Sequence, residues 1–191
     1  MLVIDRKLNL VVPIDRANGE KIYVHAMPIG TETFEKNYLV LAKVFSAFVD
    51  NGIVVTSAPS VARLILKQVA QNTPRNGDGN WWDGDDGVGG KSGLLAEIVR
   101  LCNVIDVDRV RPLNDVLAEG MFSEDEKNDL LSILVFFTVA SRIPPRMDRE
   151  RLIRGLASIY QLQTTSLTTT EYQNSLKTST SVDNTGGKVP E

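Results

Sequence analysis

Apolar and polar residues alternate at period two near the start of the chain. Leu8, Leu10, Val12 and Ile14 form one such run, and Ile22, Val24 and Ala26 form a second. Residues spaced this way line one face of a strand. Between the runs, Asn18-Gly19 supplies the positive φ angles that a tight turn needs, so the pattern predicts a β-hairpin. Pro13 confines the first strand to an edge or a bulge. A lone hairpin is marginal in water, so this one must lie on helices or pair with another chain.

After Pro28 the period changes. Thr31 offers an N-cap, and Glu32 and Glu35 face the positive end of a helix dipole. Phe34, Tyr38, Leu41, Phe45 and Phe48 then form one helical stripe, which Asn51-Gly52 stops. A second helix starts near Pro59 with Val61, Ile65 and Val69 inward, flanked by Leu64 and Leu66. Ser92 caps a third, with Leu94, Leu95, Ile98, Leu101 and Cys102 inward. Residues 104–111 read as a connector with room for a short strand, and 112–119 as a short helix stopped by Gly120. Ser123 and Glu126 make a reciprocal capping box. The helix they start is apolar nearly all round over 130–140, and Pro144-Pro145 ends it. A last helix, about 148–162, buries Leu152, Ile153, Leu156, Ile159 and Tyr160. These elements predict an α+β fold, predominantly α-helical, with the N-terminal hairpin packed on a bundle of five or six helices.

Two segments fall outside that scheme. Residues 72–91 are too rich in glycine for a helix or strand, and read as a long loop with Trp81 and Trp82 at its middle. Residues 163–191 are crowded with Thr, Ser, Asn and Gly. So little apolar surface does not offset the entropy of ordering a segment, which predicts a flexible C-terminal arm. The expected organisation is therefore a body over 1–162 and an arm over 163–191.

Composition narrows the classes of function. The 191 residues are 42% hydrophobic and 24% charged, as in an ordinary soluble protein. The net charge of −3 sets up no global attraction to nucleic acid or anionic membrane. The apolar run over 130–140 is shorter than the roughly 20 residues of a membrane span, and no signal peptide is expected at the N-terminus. One cysteine excludes an internal disulfide framework.

Candidate chemistry is sparse. The segment GVGGKS over 87–92 resembles a phosphate-binding loop, but Asp85 stands where that motif needs glycine, Asp86 is beside it, and no strand precedes it. A linker is the better reading, with no nucleotide bound. The acidic residues there also miss the EF-hand pattern: counted from Asp83 the fifth position is Gly87, and counted from Asn76 the sixth is Trp81. With one histidine, His25, a catalytic triad or a multi-histidine zinc site is unavailable. Cys102 reads as a small buried hydrophobe. No catalytic, cofactor or metal residues are assigned.

Contacts with partners have better candidates. Trp81 and Trp82 either lid the core or anchor in a partner's pocket, the two readings standing level. Arg146 and Arg149 belong to a basic cluster that is a solvated helix face by default and a patch for an acidic partner as the alternative. Tyr172 is the candidate contact on the arm.

Four stretches, taken together, resemble a family of tail assembly chaperones from long-tailed bacteriophages. They are KLNLVVPIDRANGEKIYVHAMPI, FEKNYLVLAKVFSAF, ILVFFTVAS and QTTSLTTTEYQNSLKTSTSVDNTGG, in the same order and spanning most of the chain. The resemblance implies a non-enzymatic protein of the infected host's cytoplasm, absent from the mature virion and without cofactors. It would bind the tape measure protein, keep its hydrophobic helices soluble, and help recruit tail tube subunits. A homo-oligomer stays open; nucleic acid and membrane are not expected partners. The rival reading is a structural virion subunit whose hairpin edge and C-terminal arm join neighbouring copies.

Overall fold

A computed structural model of the chain describes residues 8–16, 19, 21–50, 57–75, 79–106 and 109–182. The two alternating runs become β1 (Asn9–Asp15) and β2 (Lys21–Ala26), paired antiparallel with Val12 opposite Val24. Gly19 takes φ +84 and donates its amide to the Arg16 carbonyl, as a tight turn requires. Asn18 lies outside the described residues.

The hairpin is not left alone. Two further strands, β3 (Cys102–Ile105) and β4 (Val110–Pro112), and a late one, β5 (Gln163–Thr165), join it in an antiparallel sheet of order β4-β3-β2-β1-β5. This corrects three expectations. Cys102 opens a strand rather than closing a helix, because α3 (Leu94–Arg100) ends one residue earlier, where the Leu101 amide reaches the Glu97 and Ile98 carbonyls. The connector over 104–111 holds most of a second hairpin. And both strands of the first hairpin are interior, with β3 along β2 and β5 along Asn9 to Val11 of β1. Pro13 lies just past the reach of β5, where a missing amide costs the sheet nothing on that side.

Six helices sit on one face of the sheet. They are α1 (Thr31–Asp50), α2 (Ala58–Asn72), α3, α4 (Leu113–Ala118), α5 (Glu124–Arg142) and α6 (Arg146–Ile159). Leu10, Val12, Ile22, Val24, Cys102 and Val104 point into the same core as these helices. At its centre is α5. The Ser123 amide donates to Glu126 Oε2 at 2.8 Å and the Glu126 amide to Ser123 Oγ at 3.2 Å, so the capping box forms in both directions. Residues 134–140 of this helix are buried without a break. The Phe136 ring lies 5.4 Å from that of Phe48, and both are almost fully enclosed.

The inward faces of α1 and α2 are rotated from the expected stripes. Helix α1 buries Asn37, Val40, Leu41, Val44 and Phe48, leaving Tyr38 exposed. Helix α2 buries Ala58, Ala62, Leu66 and Ala70, and Val61, Ile65 and Val69 stay half-covered. Small residues face the partner because α2 packs most extensively of all against α5, and alanine lets two backbones approach. The stop at Asn51-Gly52 lies outside the described residues. Just past the end of α6, Gln161 takes the left-handed φ of +54 and the Leu162 amide donates back to the Ala157 carbonyl at 2.9 Å.

The largest correction concerns the arm. Residues 163–182 are not a free tail: they supply β5 and a seventh helix, α7 (Thr169–Val182), which crosses the opposite face of the sheet. The architecture is therefore a sheet between a six-helix layer and one strap, rather than a helix bundle carrying a hairpin. Apolar content misjudged the segment because its ordering draws on other sources. Backbone groups of β5 pair with β1, and Thr168 and Glu171 cap α7. Tyr172 and Leu176, four apart on one helix face, cover Val11 and Ile105. Residues 183–191 lie outside the described residues.

Candidate functional site

The glycine-rich loop after α2 is a compact coil. Glycines 84, 87, 90 and 93 recur every three residues, and the amides of Gly87, Gly90 and Gly93 each donate to the carbonyl three residues back. Longer bonds tie successive coils together, from Val88 to the Trp81 carbonyl at 2.7 Å and from Ser92 to the Asp85 carbonyl at 2.9 Å. A phosphate-binding loop presents free amides; here they are bonded within the chain. The Ser92 hydroxyl also donates to Asp85 at 2.8 Å, so it does not cap α3 as expected, and Gly93 occupies that position.

This coil presses Trp81 and Trp82 against the main core, both half-buried. The Trp81 amide donates to the Ala70 carbonyl at 3.0 Å, fastening the loop to the end of α2. The Arg75 guanidinium lies 5.5 Å from the Trp81 ring and the Lys67 ammonium 5.6 Å from the Trp82 ring. Arg75 also grips Asp86 with two bonds of 2.9 and 2.6 Å, and that grip holds the Asp86 carboxyl down at about 2. The geometry is that of a lid pinned from both sides. Beside it, Glu32, Lys36, Asn37, Asp86, Ser92 and Glu97 line a polar cleft of about 240 Å³.

Two of the arginines near α6, Arg142 and Arg149, turn inward to the backbone, while Arg151 and Arg154 stay exposed. Arg149 donates to the carbonyls of Pro144 at 2.6 Å and Arg142 at 2.8 Å, satisfying acceptors that the end of α5 leaves open. Arg142 itself donates to the Ile29 carbonyl. Thus Arg149 joins α5 to α6 instead of forming a free basic patch. The side chain of Arg146 lies outside the described residues.

Tyr172 is 7% exposed and faces the sheet. Its ring meets Tyr23 edge-on at 5.8 Å and lies 6.2 Å from His25, and its hydroxyl donates to Gln163 Oε1 at 2.7 Å. Desolvation pushes its phenol up to about 12.

Sequence reasoning passed over the groups that hold this strap. His25 is fully buried between the sheet and α7. Its Nε2 lies 3.1 Å from the Leu167 carbonyl and its Nδ1 3.2 Å from Thr169 Oγ1. Because a carbonyl only accepts, Nε2 carries the proton and Nδ1 receives the Thr169 hydroxyl. The Asn9 amide donates to the same Leu167 carbonyl at 2.9 Å. Burial holds the imidazole below its ordinary value. The available signal was that Asn9, Val11, Tyr23 and His25 occupy the second face of the hairpin, which a one-sided reading of its pattern leaves to solvent.

A partly exposed apolar strip runs along α1, with Phe34 and Phe45 half-buried against the main core and Tyr38 and Val49 open to solvent. Phe34, Tyr38, Phe45 and Val49 share one helix side. Tyr38 is 55% and Val49 50% exposed, and the rings of Phe34 and Tyr38 meet edge-on at 5.7 Å. Among the described residues, none of the helices is long and apolar enough to cross a membrane, and no cluster of three potential metal ligands occurs. Comparison with protein-family models, with curated proteins and with solved structures finds no match to the chain.

Proposed function

We propose that this chain is a non-enzymatic tail assembly chaperone of a long-tailed bacteriophage. It acts in the host cytoplasm, binds the tape measure protein, helps recruit tail tube subunits, and leaves before the virion matures. The resemblance of the four sequence stretches supports the family. The observation that carries the client contact is the strip of Phe34, Tyr38, Phe45 and Val49 on α1. Anchors spaced four, seven and four suit the apolar face of an amphipathic helix, the form in which a long tape measure segment would present itself.

The test is co-expression with the tape measure protein of the same phage. The client stays soluble and co-purifies with the wild-type chain. A Tyr38→Lys, Val49→Lys variant alters only exposed positions, so it folds but loses the client. Many copies of the chain in purified virions would overturn the reading in favour of a structural subunit. Against that rival, part of the hairpin edge it leaned on is taken, since β5 runs along Asn9 to Val11 of β1 and β3 along β2.

A further inference from the structure

We propose that His25 is a proton-operated latch for α7: protonation of its ring releases the strap and uncovers the outer face of the sheet. The inference rests on where the ring sits. Both nitrogens are committed to the start of the strap, Nε2 as donor to the Leu167 carbonyl just before α7 and Nδ1 as acceptor from Thr169 at its first residue. A second proton reverses the role of Nδ1. The Asn103 amide already points at Thr169 Oγ1 from 3.5 Å, so an added N–H would set a further donor against one oxygen that carries its own hydrogen.

The surroundings offer the cation little. Val11 of β1 and Asn103 of β3 are its cross-strand neighbours, and both are uncharged. From α7 it meets Thr169 and Tyr172, and Tyr23 stands beside Tyr172. Burial keeps the Tyr172 phenol neutral well above physiological pH. The acidic residue of the first turn, Glu171, is turned away to the amide and hydroxyl of Thr168, each at 2.8 Å. The Leu167 carbonyl favours the imidazolium, but burial outweighs it. The ring also faces the N-terminal end of α7, where the helix dipole is positive.

The direction of the pH effect follows. A released His25 titrates at the ordinary value of 6.5, and a docked one lower. Docking is therefore at full strength above pH 6.5 and weakens as pH falls from there through the docked value. Uptake of at most one proton per opening event makes the opening constant rise by up to about tenfold per pH unit within that window. What opens is a small cluster, separate from the main core, of Val11, Ile105 and Tyr23 under Tyr172 and Leu176.

Amide hydrogen exchange on the full chain between pH 7.5 and 5, corrected for intrinsic exchange, reads this directly. Residues 169–182 lose protection as pH falls below 6.5, by up to about tenfold per pH unit, while the amides of α5 hold theirs. In His25→Gln the slope vanishes. Should that variant not fold, NMR titration of the chain's one imidazole in the wild type gives a midpoint below 6.5, at the pH where the loss of protection levels off. Protection of α7 that is flat with pH, loss of α5 protection in step with α7, or an imidazole titrating at 6.5 or above would each overturn the latch. All of these readouts are independent of the client strip on α1.

Discussion

The Tyr172 hydroxyl donates to Gln163 Oε1 at 2.7 Å, joining the strap helix α7 to the strand β5 that leads into it. Tyr172→Phe removes this bond and keeps the ring on the sheet, so the loss of stability is about 0.5–1.5 kcal/mol. Tyr172→Ala removes the ring as well and costs more, up to the point where α7 detaches and the loss levels off. Urea melts of both variants, with exchange protection of 169–182, distinguish the two. Equal effects of Phe and Ala would show that the ring contributes nothing.

Deleting 163–191 exposes Val11 and Ile105 and strips the neighbour from Asn9 to Val11 of β1. Re-exposing two fully buried aliphatic side chains costs at least about 3 kcal/mol. The truncated chain melts lower and associates through the bared edge. A thermal scan with size-exclusion chromatography checks both, and an unchanged monomer with unchanged melting would show that the strap is dispensable.

Gly93→Ala breaks the glycine coil. A methyl group at that position overlaps the Gly87 carbonyl oxygen, which is backbone and has no rotamer to move. Overpacking of this kind costs about 1–3 kcal/mol and shifts the Trp82 environment. Gly30→Ala is the control, since nothing lies within 4 Å of its new methyl. Melting curves and tryptophan emission separate the pair, and equal behaviour would mean that the coil yields freely.

Phe136→Asp places a carboxylate against Phe48 in the middle of the main core. A buried unpaired carboxylate costs several kcal/mol, comparable to the whole stability of a domain at about 5–15 kcal/mol. The variant is expected to be insoluble or unfolded by circular dichroism. A native-like melt would require α5 to be accessible to solvent.

The sequence by itself determined the elements whose cause is local. The alternation in β1 and β2, the Ser123–Glu126 capping box and the proline stop after α5 all act within a few residues, so composition and spacing reveal them. The enclosure of 134–140 was likewise readable, because a helix apolar on every side has nowhere to go but inside. Only the tertiary structure decided the rest. Cys102 joined a strand because β2 offered it a partner, and α2 turned alanines inward because α5 lay close. Arg149 became a bridge because the end of α5 held open carbonyls beside it. The polar tail became a strand and a strap for a similar reason. A segment with little apolar surface cannot order alone, but it can order on a face that already holds Asn9, His25 and Val11, where a few polar anchors and one tyrosine suffice. That face is assembled from β1, β2 and β3, and α7 meets it more than 140 residues after His25. No window of sequence contains both halves of the contact.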